Sequence, residues 1–63
     1  MQNRIKERRE ELRMTQEELA AKSNISRQTI HALETGKADN VTLSTMMSIA
    51  HALESSTEKI FLP

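Results

Sequence analysis

The sequence has no cysteine, and only one glycine, one proline and one aromatic residue among its 63 residues. Without cysteine, disulfides and thiolate metal sites are excluded. No apolar run approaches the roughly 18 residues of a membrane-spanning helix, and no apolar stretch follows the basic N-terminus, so neither a membrane span nor a signal peptide is predicted. The absence of cysteine also fits a reducing compartment, and we expect a cytoplasmic protein.

The sequence also has no net charge, because nine basic side chains balance nine acidic ones. Nucleic-acid-binding domains are usually basic, so the total argues at first against such a partner. The charges are unevenly placed, however. Residues 1–37 hold eight basic and six acidic side chains, whereas residues 38–63 hold one basic and three acidic ones. The first part of the chain is mildly basic, and a polyanionic partner is not excluded.

The short length predicts one domain over residues 1–63. A core of this size rarely supplies more than about 3–5 kcal/mol of stability. Disulfides, which often supplement such cores, are excluded here. We therefore expect the chain to associate with a second copy.

Helix-forming residues dominate and strand-like alternation is missing, which predicts an all-α protein. Capping residues divide the chain into five helices. Thr15 and Glu18 form a capping box, Ser26, Thr42 and Ser56 can cap later helices, and Gly36 can end the third. The predicted helices cover residues 3–13, 16–22, 27–35, about 43–53 and 57–61. The fourth helix has a predicted inner face at amphipathic spacing: Leu43, Met46, Ile49, Ala50 and Leu53.

Residues 16–35 form two short helices joined by a turn of about four residues, which is the arrangement of a helix-turn-helix. In that motif the second helix enters the DNA major groove. Its first turn offers Arg27, which can bind guanine, and Gln28, which can bind adenine. Helical spacing directs Ile30 and Leu33 to the core, whereas Arg27, Gln28 and His31 face outward. His31 can reach a base or a phosphate, or be simply solvated.

The sequence resembles the XRE family of phage-repressor and Cro-like helix-turn-helix proteins. The resemblance lies in residues 15–20 (TQEELA), 25–30 (ISRQTI) and 33–37 (LETGK), and extends through residues 43–53 to 58–61. It implies a compact five-helix, lambda-repressor-like domain in which helices two and three form the helix-turn-helix. The chain departs from the family at Glu54, where glycine is common, and at Ser55 and Thr57, where apolar residues are usual.

The resemblance also implies roles for single residues. It suggests an ion pair between Arg9 and Glu34, and subunit pairing through the C-terminal residues Ile60, Phe61 and Leu62. The expected base-reading residues are Arg27, Gln28, His31 and Ala32. The expected contacts to the DNA backbone are Gln16, Ser26, Thr29, Lys37 and Asn40.

These observations predict a sequence-specific regulator that binds double-stranded DNA. We expect a repressor that acts as a homodimer on an inverted repeat with half-sites about 10 bp, or a multiple, apart. No nucleophile and base combination, phosphate-binding glycine loop or metal cluster is visible, so we expect no enzyme activity, no cofactor and no metal. Two alternatives stay open at this stage: an antitoxin that binds its toxin as well as its promoter, and a protein-binding module without DNA activity.

Overall fold

A computed structural model describes residues 2–38 and 40–61 of the chain. Five helices and no strand occur in this part, which confirms the all-α prediction. They are α1 (Ile5–Glu11), α2 (Gln16–Ser23), α3 (Arg27–Thr35), α4 (Leu43–Ala52) and α5 (Thr57–Phe61). None of these helices is long and apolar enough to cross a membrane.

Side-chain caps fix where α2 to α5 begin. The Thr15 hydroxyl accepts a hydrogen bond from the Glu18 amide, and the Glu18 carboxylate accepts one from the Thr15 amide, so the predicted capping box is present. Ser26, Thr42 and Ser56 accept from the amide three residues ahead in the same way at α3, α4 and α5. These bonds satisfy amide donors that have no partner inside a helix.

Left-handed backbone residues follow four of the helices, α1 to α4. Gly36 (φ 79°) follows α3, as predicted, and Asn24 (φ 59°) follows α2, where asparagine tolerates the left-handed region. Arg13 (φ 54°) and Glu54 (φ 55°) are also left-handed, although neither residue type favours that region. The prediction that the first helix reaches residue 13 is wrong for this reason: α1 ends at Glu11 and the chain then turns.

One core joins the five helices. α2 packs against α3 and α4, α1 packs against α3 and α5, and α4 packs against α5. The fully buried large side chains are Ile5, Leu19, Ile30, Leu33, Ile49, Leu53 and Ile60.

Two predictions about apolar side chains need correction. Leu43 was expected in the core but is 63% exposed. It is the first residue of α4, and a helical side chain leans toward the N-terminus, so it extends past the end of the helix. Ile60 and Phe61 were expected on a dimer surface but lie in the core, 2% and 5% exposed, because α5 folds onto α1 and α4. Leu62 lies outside the described residues.

A polar contact not anticipated from sequence joins α1 to the end of α4. The Arg8 guanidinium donates from Nε to the Leu53 carbonyl oxygen at 2.9 Å and from Nη2 to the Glu54 carbonyl oxygen at 3.3 Å. These carbonyls follow the last turn of α4, where helices leave acceptors without partners and favour positive charge. Arg8 thus caps α4 from a neighbouring helix.

Candidate nucleic-acid interface

The α3 helix presents a buried face and a polar face. Ile30 and Leu33 are 0% and 1% exposed and anchor it in the core. Arg27, Gln28 and His31 are exposed, as the helical spacing predicts, and Ala32 is half-buried. Guanidinium and carboxamide groups, which Arg27 and Gln28 carry on the first turn of α3, are common ligands of base edges in protein–DNA complexes.

The residues at the start of α3 use part of their hydrogen-bonding capacity on each other. The Ser26 oxygen accepts from the Thr29 amide at 3.1 Å, and the Ser26 hydroxyl donates to the Thr29 hydroxyl oxygen at 2.8 Å. The Ser26 oxygen therefore caps α3, and the Ser26 hydroxyl proton is taken up by Thr29. The Thr29 hydroxyl proton is left free to donate to an acceptor outside the protein, such as a phosphate oxygen.

A buried ion pair joins α3 to α1, as the resemblance implied. Arg9 binds Glu34 through two parallel hydrogen bonds, from Nε to Oε2 at 2.8 Å and from Nη2 to Oε1 at 3.2 Å. A third bond runs from Arg9 Nη1 to the Met14 carbonyl oxygen at 2.9 Å. The Arg9 side chain is only 13% exposed and the Glu34 side chain only 4%. This geometry fixes α3 relative to α1 and to the turn that leads into α2.

The ion pair shifts the protonation of both partners. Burial by itself raises the pKa of the Glu34 carboxyl, but the hydrogen bonds from Arg9 and Gln16 and the attraction of Arg9 and Lys6 outweigh burial, and the pKa is lowered. The hydrogen bond to Glu34 raises the pKa of Arg9. Both groups are therefore charged at neutral pH.

Gln16, the first residue of α2, connects this ion pair to the exposed face of α3. Its side-chain Nε2 donates to Glu34 Oε1 at 3.0 Å and lies 3.4 Å from Nδ1 of His31. Gln16 was expected to contact the DNA backbone. In the folded chain its side-chain amide is directed to Glu34 and His31.

An open groove of about 410 Å³ runs beside Gln16, and its lining includes Arg13 and Arg27. Arg13 was not among the residues expected to contact DNA. The left-handed turn at Arg13, which the sequence pattern did not indicate, brings it to the same groove as Arg27. The carboxylates of Glu10 and Glu17 also line this groove, so the two guanidinium groups lie among charges of both signs next to the exposed face of α3.

The loop after α3 carries the other predicted backbone contacts. Lys37 and Asn40 are both exposed. The amides of Lys37 and Ala38 donate to the Ala32 carbonyl oxygen at 2.9 and 3.1 Å, which fixes the start of the loop against the end of α3. Among residues 2–38 and 40–61 there is no group of three His, Cys, Asp or Glu side chains that could hold a metal ion.

Comparisons with known proteins agree with the helix-turn-helix architecture. A family model described as helix-turn-helix matches residues 5–60, from the first turn of α1 to α5. A relative from Archaeoglobus fulgidus, named an uncharacterized HTH-type transcriptional regulator, is 44% identical over 62 residues. The match covers 98% of this chain and 86% of the relative. The matched region includes every residue of the surface described above.

Proposed function

The chain belongs to the XRE family of helix-turn-helix transcriptional regulators, and from this premise we propose that it recognises an inverted-repeat operator as a homodimer and represses transcription there. The observation that carries the proposal is that α3 has one buried apolar face and one exposed polar face. A buried anchor at Ile30 and Leu33 holds the helix while Arg27 and Gln28 stay exposed on its first turn. A rigid helix that presents these donors can read bases without first becoming ordered.

In this proposal, Arg27 and Gln28 bind base edges, and the Ala32 methyl contacts a thymine methyl deeper in the groove. The Thr29 hydroxyl, whose proton is free, donates to a phosphate. Ser26 contributes by holding Thr29 in place. Phosphates on either side of α3 are contacted by Arg13 at the α2 end and by Lys37 and Asn40 in the following loop. Such contacts fix the position of the protein on the duplex but read no sequence.

Two substitutions separate base reading from backbone binding. On a selected operator, Arg27→Ala should cost about 1–3 kcal/mol and relax the preference at one base pair. Lys37→Ala should weaken binding to all sequences alike and lower the salt slope by about 1. Equal losses on operator and random DNA for Arg27→Ala would exclude its role in reading a base.

The proposed homodimer is supported by an uncharged, partly apolar face on α4. Leu43 and Met47 are 63% and 56% exposed and lie one turn apart. The helix contains no Asp, Glu, Lys or Arg, and its one basic residue is His51, one turn after Met47. A face without Lys or Arg is poorly suited to DNA. Two-fold pairing places identical residues opposite each other, and a face without charge avoids like-charge repulsion there. We therefore assign the second copy to this face of α4, in place of Ile60 and Phe61.

Sedimentation of two charge variants tests this assignment. Met47→Glu places a carboxylate opposite its symmetry mate and should shift the protein to the 7.2 kDa monomer at micromolar concentration. Ala21→Glu adds the same charge to an exposed position on α2 and should leave the dimer intact. Equal sedimentation of both variants as dimers would exclude the α4 face. A wild-type protein that is monomeric both alone and on operator DNA would exclude the homodimer altogether.

Repression is proposed because occupancy of an operator is sufficient for it, whereas activation needs a further contact with the transcription machinery. We place this activity in the cytoplasm, where a prokaryotic chromosome is found. A promoter that carries the selected operator should direct less reporter synthesis when the protein is expressed, and more when Arg27→Ala replaces it. A rise in reporter synthesis with the wild-type protein would identify an activator instead.

A further inference from the structure

The contacts of Gln16 define the hydrogen-bonding chemistry of His31. The Glu34 carboxylate is held charged by Arg9 and can only accept hydrogen bonds. Gln16 must therefore direct its NH₂ group, and not its carbonyl oxygen, to Glu34 Oε1, which lies 3.0 Å from Nε2. The opposite orientation would place two oxygens with lone pairs against each other. The ion pair thus fixes the orientation of the Gln16 amide.

The second hydrogen of that NH₂ group is left for His31. Nδ1 of His31 lies 3.4 Å from the same Gln16 nitrogen. Since that nitrogen has only donors, the contact is favourable when Nδ1 carries a lone pair and unfavourable when it carries a proton. In neutral imidazole one ring nitrogen donates and the other accepts, so the proton must then sit on Nε2. Nε2 is on the far side of the ring, and the His31 residue is exposed.

We propose that Gln16 selects the Nε2–H tautomer of the neutral His31 ring, so that this ring reads a hydrogen-bond acceptor on a base edge as a single donor. Guanine O6 and N7, adenine N7 and thymine O4 are such acceptors in the major groove, whereas the cytosine amino group is a donor and is disfavoured. This inference rests on the proposed DNA binding. It assigns Gln16 a positioning role, in which a residue on α2 sets the base preference of a residue on α3.

The tautomer can be measured in the free protein by ¹⁵N and ¹³C NMR of the imidazole rings, at a pH of about 9, where histidine is ordinarily neutral. His51, an exposed residue on α4, is the reference within the same chain. A neutral hydrogen bond changes an equilibrium by about three- to tenfold. The ratio of Nε2–H to Nδ1–H should therefore be higher by that factor at His31 than at His51. Gln16→Met, which keeps the length but removes the amide, should abolish the difference. An Nδ1–H tautomer at His31, or equal ratios in the wild type, would overturn the proposal.

Selection of bound fragments from random DNA tests whether the His31 tautomer determines a base preference. His31→Ala and Gln16→Met should each lose preference at the same base pair by about three- to tenfold, and the double variant should lose no more than either one. Gln28→Met is the contrasting variant: it should change a different base pair, and its effect should add to that of His31→Ala. Additive losses for His31 and Gln16, or losses at different base pairs, would overturn the coupling.

The two experiments distinguish the failure of this inference from the failure of the proposed function. If the wild-type protein selects no sequence, the proposed function fails and the reading role of His31 fails with it, while the NMR result still decides the tautomer. If the wild type selects an operator but His31→Ala weakens all sequences equally, the ring contacts a phosphate. In that case only the base-reading inference is overturned.

Discussion

Replacement of Glu34 by alanine tests the buried ion pair that positions α3. The substitution leaves Arg9 with one hydrogen bond, to the Met14 carbonyl, and no carboxylate partner. Loss of one partner of a buried pair costs about 3–5 kcal/mol. Because the Arg9 side chain is 13% exposed and can reach some water, we expect a value at the lower end, about 3 kcal/mol.

That loss is large for a domain of this size. Each kcal/mol lowers the Tm of such a domain by about 4–8 °C, so Glu34→Ala should lower it by about 12–24 °C. Thermal unfolding followed by circular dichroism at 222 nm, with urea titration at 25 °C, measures the effect. Glu11→Ala is the matched control, because Glu11 also accepts from an arginine, Arg8, but these side chains are 56% and 32% exposed. An exposed pair contributes about 0–1 kcal/mol. Equal losses for Glu34→Ala and Glu11→Ala would refute the reasoning.

Three further predictions concern local features of the fold. The pKa of Glu34 is lower in the folded protein than its ordinary value of 4.5, so the ionised carboxylate stabilises the fold at pH values above 4.5. This stability is lost as the pH falls through the lower, folded pKa. The urea midpoint should therefore drop in acid below about pH 4.5, and it should drop less in Glu34→Gln. In Gly36→Ala the added methyl has room, but the alanine must adopt φ 79°, which L side chains disfavour. Urea titration should therefore show a loss of about 1–2 kcal/mol in the free energy of unfolding. An unchanged urea midpoint would contradict the left-handed cap. Glu54→Gly relieves similar strain at φ 55° while loosening the unfolded chain, and should raise stability by about 0.5–1 kcal/mol. Destabilisation by Glu54→Gly would show that the Glu54 side chain contributes more than its backbone strain costs.

The parts of the fold that sequence predicts best are those set by neighbouring residues. A serine or threonine cap acts on the amide three residues ahead, so the starts of α2 to α5 could be located from sequence. The range predicted for α3, residues 27–35, is confirmed because Ser26 and Gly36 bound it. The exposed Arg27 and Gln28 follow from the period of the same helix.

Features that depend on packing between distant segments were missed. Leu43 and Ile60 are both apolar, but Leu43 is exposed because it begins α4, whereas Ile60 is buried because α5 packs onto α1 and α4. Arg8 has the sequence signature of a solvated residue, yet it caps α4 from α1. Arg13 reaches the groove beside Arg27 through a left-handed turn that its residue type does not favour. The Arg9–Glu34 pair came from the family resemblance, since 25 residues separate the partners and no local pattern joins them.

Selection of bound fragments from a random double-stranded DNA pool, at near-physiological salt, tests the central claim most directly. Because few Lys and Arg side chains are available to bind phosphates, non-specific binding should be weak. Enrichment should therefore depend on two subunits that bind the site together. We predict that the enriched fragments contain an inverted repeat with half-sites about 10 bp, or a multiple, apart. Arg27→Ala should lose one base preference in each half-site. Failure of the wild-type protein to enrich any sequence, or enrichment of a site without two-fold symmetry, would contradict operator recognition by a homodimer.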